Sequence, residues 1–179
     1  MSINLDFNVD KKKLITITII IIAIIGIIFI INNKNSAVKT INKHSNIPIN
    51  LLTKYNADSA ILKRYEKNNN DLFKGLYSDD ISMYYYHYKN DNDKYYLANI
   101  SLTSKKYDIL GISVGTFIED AKSILKKYHF KLTNDDYFEL TFTNKNVEII
   151  LYNDPDDTNE LIINQIRVRV IDKNLDNIA

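Results

Sequence analysis

From Leu14 to Ile31 the chain runs LITITIIIIAIIGIIFII without a charged residue, whereas everything after it mixes apolar and polar positions at short range. As a helix that run would rise roughly 27 Å, close to the hydrocarbon thickness of a bilayer, so the pattern predicts a transmembrane helix at 14–31 behind a short tail, 1–13. Lys11, Lys12 and Lys13 abut the run on one side, while Lys34, Lys39 and Lys43 are spread over the other. That asymmetry predicts a cytoplasmic tail and an extracytoplasmic remainder, a single-pass protein of the cell membrane. The flank Asn32-Asn33-Lys34-Asn35-Ser36-Ala37 offers no small-x-small cleavage site, so the segment reads as an anchor rather than a removable leader.

Residues 32–50 (NNKNSAVKTINKHSNIPIN) are polar, contain Pro48 and sustain no period, which predicts a tether. Helical periodicity returns at Ile118, Ala121, Leu125 and Tyr128, spaced three and four apart behind Thr116-Phe-Ile-Glu119, whose Thr and Glu suit a capping box. Strand periodicity follows at Tyr137–Thr143, Val147–Tyr152 and Leu161–Ile171, with a turn at Asn144-Lys145-Asn146. Alternation puts Val147, Ile149 and Leu151 on one face, and Ile166, Val168 and Val170 likewise, with Arg167 and Arg169 opposite. Farther upstream, Ile81, Met83 and Tyr85 alternate in the same way, as do Tyr96, Ala98, Ile100 and Leu102.

Sliding the chain against itself shows why the two stretches look alike. At an offset of 66, Ile81–Tyr86 lies on Val147–Tyr152 and Asn99–Leu102 on Gln165–Val168. Offsets of 65 and 63 bring Leu72-Phe73 onto Tyr137-Phe138 and Ile61–Tyr65 onto Ile124–Tyr128. The expected fold is α+β: after the transmembrane helix, two tandem helix-plus-three-strand units (51–107 and 108–174) pack their helices on an antiparallel sheet.

Composition narrows the functional classes. From residue 32 onward Lys+Arg and Asp+Glu balance at 20 each, which argues against a nucleic-acid partner, for which a basic face is the expected footprint. The chain has no cysteine, so neither disulfides nor a lipid-bearing thiol are available and the domain stands on packing alone. Heavy use of Asn, Ile, Lys and Tyr matches an AT-rich, Gram-positive type of genome.

The segment Gly111-Ile-Ser-Val-Gly115-Thr-Phe-Ile-Glu119-Asp-Ala-Lys-Ser-Ile-Leu125 resembles the opening of the repeat unit in β-lactamase-inhibitory-protein-like domains, and is similar to that of the small outer-membrane-assembly lipoproteins. The resemblance covers roughly residues 108–171 and implies a tandem-repeat fold that binds other proteins, often through the exposed face of its sheet. It implies no particular functional residue. The isoleucine-rich run also looks like the first helix of type IV pilins, yet Lys13 and Thr18 stand where that family has glycine and glutamate.

The residues themselves suggest the contact surface. Tyr84, Tyr86 and Tyr88 alternate away from Met83 and Tyr85, and Tyr95 with Leu97 is expected on the same outward face of the next strand. Tyrosine combines apolar area with a hydroxyl at low entropic cost, so this patch is the candidate binding site for another envelope or secreted protein. A self-associating subunit of an envelope or spore-coat assembly is the alternative. The acidic loop Asp154–Glu160 and its counterpart Asn90–Asp93 are rich in oxygen ligands but lack the glycine and spacing of an EF-hand, so no metal is expected. His44, His87 and His129 are scattered, and no nucleophile or phosphate-loop motif accompanies them, so neither a cofactor nor catalysis is expected.

Overall fold

The computed structural model describes residues 11–34, 36–56, 73–88, 91–153 and 161–175. Contacts divide the chain into two units, Met1–Ser36 and Ala37–Ala179.

The first unit is built on helix α1 (Lys11–Lys34), whose described side chains, 15–27, are all exposed. Among the described residues no helix is long and apolar enough to cross a membrane. The transmembrane helix expected at 14–31 is corrected accordingly, and with it the single-pass placement, the membrane as a partner and the extracytoplasmic localisation. Most of the expected tail, 1–13, lies outside the described residues.

The second unit opens with helix α2 (Ser36–His44) inside the expected tether. Ala37, Val38 and Ile41 recur at helical spacing and are all buried. The chain beyond α2 is also held: the Asn42 amide donates to the Leu51 carbonyl (3.0 Å) and its oxygen accepts the Leu51 N–H (2.8 Å). The Ser45 hydroxyl accepts the Leu110 N–H at 2.9 Å. A segment with three buried apolar side chains and these bonds is part of the fold, and its short amphipathic period is hidden among polar neighbours.

The remainder is one eight-stranded antiparallel sheet. Its strands are β1 (Lys54–Asn56), β2 (Phe73–Tyr77), β3 (Ile81–Tyr88), β4 (Asp91–Leu102), β5 (Lys131–Asp135), β6 (Glu139–Asn144), β7 (Val147–Asn153) and β8 (Ile163–Val170), with helix α3 (Ile118–Lys127) between β4 and β5. The order is β2-β3-β4-β8-β7-β6-β5, and β1 pairs with the free half of β4. This overturns the expected pair of helix-plus-three-strand units. Four strands follow α3, β1 is an addition, and the helix expected around Ile61–Tyr65 lies outside the described residues.

What the offset of 66 marks is strand register. Phe73 pairs with Tyr86, and Glu139, 66 positions on from Phe73, pairs with Tyr152, 66 on from Tyr86. In the middle of the sheet Ser101 pairs with Arg167, its own counterpart at that offset, flanked by Ile100 with Val168 and Leu102 with Ile166. The β7–β8 register is displaced by two residues from that of β3–β4, a step that preserves which side chains face inward.

Inward residues of the strands, among them Ile81, Met83, Ile100, Leu102, Ile149 and Val168, merge with Ile118, Ala121 and Leu125 of α3 and with the apolar face of α2 into one core. Both helices therefore lie on the same face of the sheet. The start of α3 departs from a capping box: its N-cap is Phe117, which makes no side-chain cap bond. The Thr116 hydroxyl instead accepts the Ser113 N–H at 3.2 Å, and Glu119 pairs with Lys122. Just upstream, Leu110 and Gly111 both have positive φ, 58° and 83°, between the mutually bonded Ile109 and Ile112. Two such residues in succession make a primed turn, the conformation for which Gly111 is suited.

The C-terminal end of α3 is closed by backbone. Phe130 N–H reaches the Leu125 carbonyl (2.9 Å) and His129 N–H the Lys126 carbonyl (3.0 Å), with His129 at φ 63°. These are the two bonds of a Schellman motif, completed by the burial of Phe130 and Leu125.

Candidate functional site

Both helices of the second unit lie on one side of the sheet, and the opposite face carries neither of them. Two rows of side chains cross it. One runs Ser101, Arg167, Ile150, Thr141 along β4, β8, β7 and β6. The other runs Tyr84, Asn99, Arg169, Glu148, Thr143 from β3 to β6.

Tyr84, Tyr86 and Tyr88 lie on this side of β3 as expected from alternation, each half-buried. The Tyr84 ring meets Tyr77 edge-on at 5.5 Å, and Tyr88 meets Tyr96 edge-on at 4.7 Å. Tyr86 is hydrogen-bonded to the Asn99 side chain, and burial pushes its phenol above the usual tyrosine value.

Tyr95 and Leu97 are not on this face. Tyr95 is 7% exposed and Leu97 0%, both in the core, so these two are removed from the expected contact surface. The cause is a β-bulge: Tyr84 pairs with Asn99 but Tyr85 with Leu97, leaving Ala98 as the extra residue. One inserted residue reverses the alternation, so Leu97 and Ala98 both point inward while Tyr96 turns out. A strict period of two cannot anticipate that reversal.

Alternation along β8 puts Arg167 and Arg169 opposite its apolar residues. They form the charged centre of the face. Arg169 makes an ion pair with Glu148, its cross-strand neighbour. The Arg167 guanidinium lies over the Tyr152 ring, 5.4 Å from its centroid. Burial raises the Tyr152 phenol, which also hydrogen-bonds Glu139, and the Thr141 hydroxyl donates to the same carboxylate at 3.2 Å. Gln165 donates to the Ser101 hydroxyl at 2.6 Å across the β4–β8 junction. Beneath these groups Ile150 is 4% exposed although it stands outside the core cluster.

Among the described residues no group of three or more His, Cys, Asp or Glu side chains is placed to hold a metal ion. The loop Asp154–Glu160 lies outside the described residues, as does Asn90; Asp91 contacts Lys94 and the Tyr96 hydroxyl. The histidines have local structural contacts: His44 lies against Tyr128, His87 against Tyr95, and His129 closes α3.

No family model matches this chain, and comparison with curated proteins and with solved structures finds no match.

Proposed function

We infer that the second unit is a protein-binding domain whose contact surface is the open face of its sheet. The observation that carries this reading is the concentration of Tyr84, Tyr86, Tyr152, Arg167 and Arg169 on the face opposite α2 and α3, around the β4–β8 junction. Tyrosine and arginine are the side chains most enriched where binding energy concentrates, since both offer broad contact area together with directed hydrogen bonds. The protein-binding habit implied by the resemblance of residues 108–171 points the same way.

Site-specific photocrosslinking tests it. A photoreactive phenylalanine analogue replaces Tyr84 in one full-length protein and Lys126, on the exposed side of α3, in another. Expressed in the source cells, the Tyr84-substituted protein should give a discrete protein adduct and the Lys126-substituted protein none. Adducts from position 126 alone would move the contact surface to the helical side.

Self-association is a second reading, with one observation in its favour. Edge strand β5 is exposed along its whole length, and the exposed Tyr137 and Phe138 stack edge-on at 5.1 Å in the turn that follows. Sedimentation of the full chain over a hundredfold concentration range separates the readings, because edge-to-edge pairing predicts a growing mass.

A further inference from the structure

The charges on the open face are unequally engaged. Glu148 compensates Arg169, and Glu139, on β6, is taken up by the hydroxyls of Thr141 and Tyr152. Arg167 remains. It occupies the middle of a row between Ser101 and Ile150, is half-buried, and among the described residues makes no ion pair.

A guanidinium in that position is primed for one class of ligand. Its guanidinium carbon stands over the Tyr152 ring, and with no ion pair among the described residues its N–H fork can take a planar acceptor. A carboxylate matches that fork with two parallel hydrogen bonds. A phosphate dianion would call for a second cation, and the neighbouring Arg169 is already spent on Glu148. Partial burial strengthens a charge-assisted bond relative to one in open water, and the tyrosines around it supply apolar area that excludes solvent.

We propose that the partner of this face is a protein segment bearing an aspartate or glutamate, whose carboxylate is received by Arg167 while its neighbouring residues pack on Tyr84 and Tyr86. This rests on the protein-binding reading above and specifies the chemistry of the partner.

The test is selection of a random peptide library displayed on phage by the immobilised full-length protein, in parallel with Arg167→Gln and Arg167→Lys. The native protein should enrich peptides with an acidic residue at a fixed position. Affinity of a synthetic copy should fall roughly tenfold or more for Arg167→Gln, less for Arg167→Lys, and should weaken with added salt. Urea unfolding of each variant shows that the fold persists, and Arg167→Lys keeps the question open to measurement should the glutamine variant fail to fold. Enriched peptides without a fixed acidic position, or acidic peptides bound equally by Arg167→Gln, overturn the carboxylate assignment but leave a protein-binding face standing. No enrichment by the native protein, with a crosslinked partner also absent, overturns both.

Discussion

Ser101 and Arg167 face each other across the β4–β8 junction, and each stands 66 positions from the other, so they are both neighbours and counterparts. A local dyad passes between them, relating Ile100–Val168 to Leu102–Ile166. The dyad relates backbone positions and not chemistry, since a buried serine answers a half-buried arginine. The open face therefore has one charged centre, on the β8 side of its midline.

Leu97 measures the bulge directly. Its side chain is fully buried, so Leu97→Ala should destabilise the domain by about 2–5 kcal/mol, whereas Tyr84→Ala on the opposite face should lose distinctly less. Urea unfolding monitored by circular dichroism compares the two. Equal losses would place Leu97 on the surface and remove the bulge from the account.

His129 occupies a left-handed position that glycine takes without strain. His129→Gly should raise stability by about 1 kcal/mol, because the Schellman bonds are backbone bonds and survive the change. A lowered urea midpoint would instead assign His129 a stabilising side-chain contact.

Asn42 donates to and accepts from the same residue, Leu51. Asn42→Ala should cost about 1–3 kcal/mol by leaving both backbone groups of a buried leucine without their partner, and Asn42→Asp should restore only the acceptor half. Amide exchange at Leu51 is the local readout: its protection should drop strongly in the alanine variant and remain partly in the aspartate variant.

Burial raises the phenols of Tyr86, Tyr88 and Tyr152 above the ordinary value of 10.0. Above pH 10 the unfolded chain releases these protons first while the native state retains them, so stability is complete below about pH 10 and falls as pH climbs through the folded values. Denaturant midpoints between pH 8 and 11 should decline accordingly. Tyr86→Phe should flatten the decline, and an unchanged slope would show that this phenol titrates normally.

The strands β3, β6, β7 and β8 were legible because Val147, Ile149 and Leu151 alternate strictly, as do Ile81, Met83 and Tyr85. The registers show why the internal similarity was visible too, though Phe73 corresponds to Glu139 rather than to Phe138. What escaped has physical causes. Alternation cannot register an inserted residue, so Tyr95 and Leu97 were assigned to the wrong side. Strand β5 is exposed at all five positions and has no inward residue to mark it. Helix α2 is short enough for three apolar residues among Lys, Asn and Thr to pass as linker. The arginine centre could have been found from β8 alone, where two arginines alternate with buried valines on a strand otherwise destined for the core.

The β4–β8 junction also governs the order in which the chain must assemble. Its pairs are 64 to 70 residues apart in sequence, Leu102 with Ile166 and Asn99 with Arg169, whereas Lys131 and Thr143 at the ends of the β5–β6 pairing are only 12 apart. Short hairpins close with little loss of chain entropy, and distant pairings carry most of it. Removing a contact made only across the junction, as Gln165→Ala does with the bond to the Ser101 hydroxyl, should therefore speed unfolding while hardly slowing folding, in stopped-flow experiments, if the hairpins on either side form first. On that order of assembly the line that the proposed partner would straddle closes last, and a ligand held across it would act as a clasp, slowing the opening of the two halves.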